Sequence, residues 1–177
     1  MKTIAKLAIM GAGLALAACT SPDRFDNPVG GEDAVTQNPT FDQNAGIIPG
    51  SANDPTSPAF FQQAVGDRVL FDVNQHVLNA GGQATLAGQA SWLAANPDYT
   101  AIIEGHADEQ GTRQYNIALG ERRAQAAKAY LVSQGINANR LKTVSFGKER
   151  PIEVCSEEAC YSKNRRAVTV LATGLTG

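Results

Sequence analysis

The sequence predicts an α/β fold: a two-layer sandwich in which helices pack on a small, four-stranded mixed sheet. Beyond Pro58, short apolar runs typical of strands alternate with longer stretches in which apolar residues recur at helical spacing. Such alternation indicates a sheet covered by helices. With 177 residues, 43% of them hydrophobic, the chain is long enough for one such domain with appendages.

The first strand is predicted at residues 68–71 and the first long helix at residues 83–96. Within that helix, apolar side chains recur every three or four residues, as expected for one buried face. Asn96 precedes Pro97, and a residue before proline disfavours helical backbone. The helix is therefore expected to end there.

The second strand is predicted at residues 100–104 and the longest helix at residues 113–134. Thr112 is the expected N-cap of that helix because its hydroxyl can accept a hydrogen bond from the first turn. Gly135 lies just past its end, where a left-handed backbone is common. Two further strands, predicted at residues 142–146 and 167–171, complete the sheet.

The N-terminal residues 1–18 are predicted to be an export signal. Lys2 and Lys6 precede the apolar run 7–18, which is too short to span a bilayer. The run ends in Leu-Ala-Ala-Cys, which resembles the processing box of bacterial lipoproteins. Cys19 is therefore expected to be acylated, with fatty acids such as palmitate, and to become the first residue of a lipid-anchored chain. The alternative is an ordinary cleaved signal with a chance cysteine.

Residues 19–58 are predicted to be a flexible tether and residues 59–177 the folded domain. Six of the eight prolines lie in the tether, together with many Asn, Asp, Gly, Ser and Thr residues. Thr20 follows the cysteine where an aspartate would signal retention in the inner membrane of some bacteria. An outer-membrane destination is therefore expected.

The formal charge of −2 gives no indication of nucleic-acid binding. Cys155 and Cys160 form an even pair in an exported protein, and a disulfide that closes a local loop is plausible. Two free thiols or metal ligands are the alternatives. Zinc is disfavoured because the sequence has no Cys-x₂-Cys pair with a nearby histidine. No metal or cofactor is expected.

Asp108 and Arg123 carry the strongest functional signal. A ligand with an ammonium and a carboxylate on one carbon needs an acceptor-only group for the first and a planar fork of donors for the second. Arg123 interrupts the apolar face of the long helix, and its side chain is expected to lean back toward the N-terminus, within reach of the loop that holds Asp108. Backbone N–H groups near Gly111 and Thr112 would help to hold a carboxylate. An internal Asp108–Arg123 salt bridge without a ligand is the alternative interpretation.

Residues 104–124, with Tyr-Ser-Lys-Asn-Arg-Arg-Ala at 161–167, resemble the peptidoglycan-associated lipoproteins of the outer-membrane-protein-A-like domain family. The resemblance covers about residues 66–172. It implies that the ligand is the diaminopimelate of peptidoglycan stem peptides. Asp108 would bind the ammonium and Arg123 the carboxylate, within a wall formed by Phe71, Asp72, Thr112, Asn116 and Leu119. Gln110 and residues 73–76 depart from the usual family sequence. The loop contacts therefore carry over less directly than the roles of Asp108 and Arg123.

The resemblance also implies a function without catalysis. The chain is expected to be an outer-membrane lipoprotein that faces the periplasm and tethers that membrane to the cell wall. Its further expected partners are the periplasmic propeller and other proteins of the Tol-Pal system, with roles in envelope integrity and cell division. The alternative is a family lipoprotein that binds the wall outside the Tol system.

Two other functional classes are disfavoured. A wall-cutting or metal-dependent enzyme is suggested only by His106 beside Asp108 and Glu109, and by His76. This arrangement lacks a second suitably spaced histidine and a nucleophile with its base. A flagellar stator or a barrel-linked protein would need a transmembrane helix or many amphipathic strands ahead of Val69.

Overall fold

The structure is a computed structural model that describes residues 47–173. In this part of the chain four strands form one sheet: β1 (Arg68–Leu70), β2 (Tyr99–His106), β3 (Leu141–Gly147) and β4 (Arg166–Thr173). The strand order is β1-β4-β2-β3. β4 is antiparallel to both β1 and β2, whereas β2 and β3 are parallel. The predicted two-layer α/β sandwich with a mixed sheet is confirmed.

The helices are α1 (Pro58–Phe60), which continues into a π-helical turn at Phe61–Gly66, α2 (Ala80–Ala95), α3 (Arg113–Ser133) and α4 (Glu158–Asn164), with a 3₁₀ turn at Ala138–Arg140. Local signals explain the start and end of α3. The Thr112 hydroxyl accepts from the N–H of Tyr115 at 3.2 Å, and Gly135 takes a positive φ of 94° after the helix.

The core lies between the sheet and helices α2 and α3. Leu86 and Leu93 of α2, Ile103 of β2 and Leu131 of α3 are completely shielded from solvent. Phe61 packs beside Trp92, with ring centroids 4.9 Å apart. Burying each large apolar side chain contributes roughly 1.5–3 kcal/mol, so this core holds the helices that carry the site firmly on the sheet.

The folded domain begins before residue 59, in contrast to the predicted boundary. Trp92 Nε1 donates to the carbonyl oxygen of Pro55 at 2.7 Å. Ser57 is 3% exposed, and its Oγ accepts from the N–H of Phe60 at 3.0 Å, which caps α1. These contacts attach the last residues of the predicted tether to the domain. The signal peptide, Cys19 and the tether up to residue 46 lie outside the described residues.

No helix within residues 47–173 combines the length and apolarity that crossing a bilayer requires.

A close backbone contact positions α3 on the sheet. A Cβ atom at Gly105 of β2 would overlap the carbonyl group of Gly120 in α3, and a Cβ at Gly120 would lie 2.8 Å from the Gly105 carbonyl oxygen. Only glycine at both positions allows this approach. The contact brings the middle of α3, including Arg123, against the end of β2.

Candidate functional site

The predicted site residues meet where β1 and β2 end and α3 begins. Phe71 and Asp72 follow β1, Asp108 lies in the loop after β2, and Asn116 and Arg123 lie on α3. Phe71, Asn116, Leu119 and Arg123 are each no more than 3% exposed, and Asp108 is 7% exposed. Asp72 and Thr112 are exposed. The structure thus brings together buried charges beneath an exposed loop.

Arg123 is completely buried, and its guanidinium donates to three backbone carbonyl groups. Nε donates to Gln75 at 2.8 Å, Nη1 to His106 at 2.7 Å and Nη2 to Asp72 at 3.3 Å. The guanidinium carbon also lies 5.3 Å from the centre of the Phe71 ring. Arg123 therefore joins the segment after β1 to the end of β2.

Burial lowers the pKa of Arg123 to about 10, while the nearby Asp108 carboxylate works in the opposite direction and Arg165 adds to the lowering. The guanidinium remains charged at neutral pH. The influence of Asp108 on Arg123 places the two groups in one electrostatic environment, although they do not form a direct ion pair.

The internal Asp108–Arg123 salt bridge, considered as an alternative from the sequence, is not the one the structure forms. Asp108 Oδ2 pairs instead with Nη1 of Arg165 at 3.3 Å, and Asp108 Oδ1 accepts from the N–H of Gln110 at 3.3 Å. The physical reason is reach: Arg165 immediately precedes β4, the strand next to β2, whereas the fork of Arg123 is occupied by carbonyl groups.

Arg165 links three parts of the site. Its Nε donates to the carbonyl oxygen of Phe71 at 3.1 Å, its Nη1 to Asp108, and its two terminal nitrogens to the carboxylate of Glu158. Burial works against the charge of Arg165, but its hydrogen bonds to Glu158 and Asp108 hold its pKa above the ordinary value. The cation stays charged and organises the groups around it.

Asn116 has hydrogen-bonding capacity left over. Its Nδ2 donates to the carbonyl oxygen of Gln110 at 2.7 Å, which ties α3 to the loop that carries Asp108. Its Oδ1 is buried and has no hydrogen-bond partner among residues 47–173. Since buried polar atoms are nearly always paired, this oxygen is suited to a donor from a ligand.

The loop that carries Asp108 is held from several sides. Lys148 Nζ donates to the carbonyl oxygen of Gly111 at 2.7 Å, and the Asn164 amide donates to the Glu109 carboxylate at 2.6 Å. The N–H of Ala107 donates to the carbonyl oxygen of Gly147 at 2.8 Å. These contacts hold Asp108 in place before a ligand arrives, which reduces the entropy lost on binding.

His106 is buried beneath the site, at the end of β2. It stacks on Phe146 with ring centroids 5.6 Å apart, and its Nε2 lies 3.6 Å from a Glu104 oxygen. Neither ring nitrogen has a hydrogen-bond partner among the described residues. Residues 47–173 also contain no cluster of histidine, cysteine or carboxylate groups suited to a metal ion. The geometry gives His106 a packing role.

We expect the stability of the protein to fall as the pH drops below 6.5, because His106 stays neutral in the folded protein while it takes up a proton in the unfolded chain. Burial, with Arg166 and Arg150 nearby, lowers the pKa of His106 from 6.5 to about 4. Glu104, beside His106, also faces Arg166 and opposes the lowering of the Arg166 pKa that burial causes. Because the unfolded chain binds this proton more readily, the His106 contribution is complete above pH 6.5. It falls by up to about 1.4 kcal/mol per pH unit as the pH drops toward 4.

The measurement is urea unfolding of the wild type and of His106→Asn between pH 7.5 and 4. The difference in unfolding free energy between the two proteins should shrink below pH 6.5, since only the wild type carries this titration. A difference that stays constant over the range would contradict a buried neutral His106.

Cys155 and Cys160 form a disulfide with their Cα atoms 5.9 Å apart. The separation lies within the usual range for a bridge. The bridge closes a small ring across the start of α4, and Glu158 lies inside that ring.

Four groups that shape the site are not predictable from the patterns used above: Arg165, Glu158, Asn164 and the carbonyl group of Gln75. Arg165 and Asn164 belong to the Asn-Arg-Arg stretch that carried the family resemblance, and that stretch was the available signal for them. No sequence signal indicated the contact with Gln75, because any residue supplies a backbone carbonyl.

Comparison with known proteins identifies relatives over nearly the whole chain. Residues 70–165 match the OmpA family. A peptidoglycan-associated lipoprotein of Rhizobium meliloti is 47% identical over 174 residues, which cover 97% of this chain and 91% of that protein. One of Brucella melitensis is 45% identical over 158 residues, covering 89% of this chain and 86% of that protein.

The fold has a matching crystal structure. The peptidoglycan-associated lipoprotein from Burkholderia pseudomallei superimposes with a TM-score of 0.61 and 36% sequence identity, covering 68% of this chain and 98% of that one. The family match, the matching crystal structure and the relatives aligned over most of their length thus indicate the same family. The chain belongs to the OmpA family and, within it, to the peptidoglycan-associated lipoproteins.

Proposed function

We propose that this chain is a non-catalytic lipoprotein that binds the diaminopimelate of peptidoglycan stem peptides and so tethers the outer membrane to the cell wall. The observation that carries the proposal is the pair of opposite, buried charges at Asp108 and Arg123, which lie in one electrostatic environment without being paired to each other. A zwitterionic end group would satisfy both.

Arg123 can donate, and Asp108 can accept, further hydrogen bonds. Arg123 has five N–H donors, and its bonds to Asp72, Gln75 and His106 use three nitrogen atoms once each. Two donors on the terminal nitrogens remain for a carboxylate. Asp108 and Oδ1 of Asn116, which has no partner within residues 47–173, are acceptors for an ammonium. The exposed Thr112 hydroxyl and the Phe71 ring would complete the wall.

Access to Arg123 requires a movement. Because Arg123 is completely buried, a ligand carboxylate reaches it only if the exposed segment 72–77 shifts and releases a carbonyl of Asp72 or Gln75. Val73 and Val77 in this segment are 48% and 67% exposed, so its side chains add little to the core. A displaced carbonyl returns to water, while the ligand carboxylate forms a stronger, charge-assisted bond.

The lipobox-like sequence and the names of the relatives support a membrane anchor. Acylated Cys19 would hold the chain on the outer membrane, facing the periplasm, and the tether would let the domain reach the wall. Because the wall presents the same peptide many times near the anchored domain, modest affinity at each site is sufficient. Within this proposal the chain acts in the Tol-Pal system, in envelope integrity and cell division, with the periplasmic propeller as a partner. Wall binding without any association with Tol proteins would favour the alternative, a family lipoprotein that binds the wall outside the Tol system.

The test is calorimetric titration of the purified full-length chain in detergent with two tripeptides. One peptide has diaminopimelate as its third residue. The other has lysine there, which keeps the side-chain ammonium but lacks the side-chain carboxylate. We expect binding of the diaminopimelate peptide only, because lysine leaves Arg123 without a partner. Equal binding of the two peptides, or binding of neither, would overturn the proposed function.

A further inference from the structure

Glu158 and Asp108 share one cation. Arg165 Nη1 lies 3.3 Å from Oδ2 of Asp108 and 3.3 Å from Oε2 of Glu158, and its Nη2 contacts Oε1 of Glu158. The side chains of Asp108 and Arg165 are 10% and 5% exposed, whereas that of Glu158 is 65% exposed. A buried ion pair is thus joined to a carboxylate at the surface.

The charge of this cluster affects what Asp108 can bind. A pair of Asp108 and Arg165 alone would be neutral, and the positive charge of Arg165 would offset part of the attraction of Asp108 for a ligand ammonium. Glu158 occupies both terminal nitrogens of Arg165 and adds a second negative charge. With Glu158 in place, the cluster carries one net negative charge, part of which acts on the ligand position.

We propose that Glu158 is a specificity-determining residue, which through Arg165 keeps the Asp108 end of the site selective for a ligand that carries an ammonium group. The inference rests on the proposed function and adds a residue to it. Glu158 does not need to touch the ligand, since its carboxylate oxygens are directed at Arg165. It is therefore a positioning residue, and its effect is electrostatic.

The fold holds Glu158 in this place. It is the first residue of α4, and the disulfide between Cys155 and Cys160 closes the ring in which it lies. At the other end of α4, Asn164 accepts from the N–H of Ile152 at 2.9 Å and contacts Glu109. The carboxylate is thus presented to Arg165 from a short, fastened helix.

The experiment compares Glu158→Gln with the wild type, both as full-length chains in detergent. Two tripeptides are titrated: the diaminopimelate peptide and the same peptide with 2-aminopimelate, which keeps the terminal carboxylate and lacks the ammonium. Glutamine retains an oxygen that accepts from Arg165, so the contact survives while the charge is lost. We expect the variant to bind the diaminopimelate peptide about three- to tenfold more weakly, the effect of one nearby charge, and the aminopimelate peptide as well as the wild type does.

Glu157→Gln is the matched control. Glu157 is the exposed neighbour of Glu158 in the same disulfide-closed ring, and its side chain has no hydrogen bond to Arg165. The substitution removes the same charge as Glu158→Gln does. The affinities of this control should equal those of the wild type. Equal loss of both peptides in Glu158→Gln would indicate a merely structural role and overturn the inference, as would an unchanged preference for the ammonium. Failure of the wild type to bind the diaminopimelate peptide would instead remove the proposed function, and this inference with it.

Discussion

Asp108→Asn is expected to weaken binding of the diaminopimelate tripeptide by about 30-fold or more. Neutralising one member of a desolvated charge pair typically costs about 2–5 kcal/mol. Asparagine has nearly the same shape and keeps an oxygen for the N–H of Gln110, but it presents no charge to a ligand ammonium. Arg165 retains its bonds to Phe71 and Glu158 in this variant, so the fold should survive.

The measurement is calorimetric titration of the variant beside Asp98→Asn, with thermal unfolding of both. Asp98 is an exposed aspartate in the turn before β2 and controls for the change in net charge. Wild-type affinity in Asp108→Asn would show that Asp108 is only a structural partner of Arg165. Arg123→Ala is a poorer probe, because it would leave the buried carbonyl group of His106 without its donor, release the carbonyl groups of Gln75 and Asp72, and so destabilise the fold directly.

Gly105→Ala is expected to lower the free energy of unfolding by about 3 kcal/mol or more, at or above the upper end of the usual cost of overpacking. The added methyl group would overlap the backbone carbonyl of Gly120, and a backbone carbonyl in the middle of a helix cannot turn aside as a flexible side chain can. Either α3 moves away from β2 or the strand distorts. Both changes displace Arg123 from the end of β2, so ligand binding should weaken as well.

Gly88→Ala in α2 is the matched control. A Cβ at Gly88 would lie 3.5 Å from a methyl group of Val65, an ordinary contact. Since alanine favours a helix by up to about 1 kcal/mol over glycine, this variant should be slightly more stable than the wild type. The free energies come from urea unfolding. A Gly105→Ala protein as stable as the wild type would contradict the close contact between α3 and β2.

The long elements could be predicted because their signals lie within a few neighbouring residues. Thr112 and Gly135 mark the start and end of α3, and the observed helix ends one residue before the predicted one. Two short helices were missed. The Ser57-Pro58 pair that opens α1 is a recognisable start signal, since serine caps and proline suits the first turn, but the surrounding polar composition favoured a tether. Helix α4 is only 7 residues long and has too few turns for a clear apolar period.

The sequence predicted which residues belong to the candidate site, but only in part which of them contact one another. Asp108 and Arg123 stood out because a lone charge on an apolar helix face needs a partner, a rule that holds whatever the fold. The partner that Asp108 takes, Arg165, lies 57 residues away in sequence. No periodicity or capping rule connects residues at that distance.

By itself, the sequence determined that this chain forms an α/β sandwich and that α3 begins at a threonine cap, and it predicted that Asp108 and Arg123 act together. Capping, periodicity and unpaired charge act between near neighbours, and these can be interpreted along the chain. The tertiary structure alone decided that β4 lies between β1 and β2. That placement puts Arg165 beside Asp108, leaves Arg123 to the backbone carbonyls, and couples Glu158 to the site. Such contacts depend on which strands become neighbours, and that outcome is decided by the packing of the whole domain.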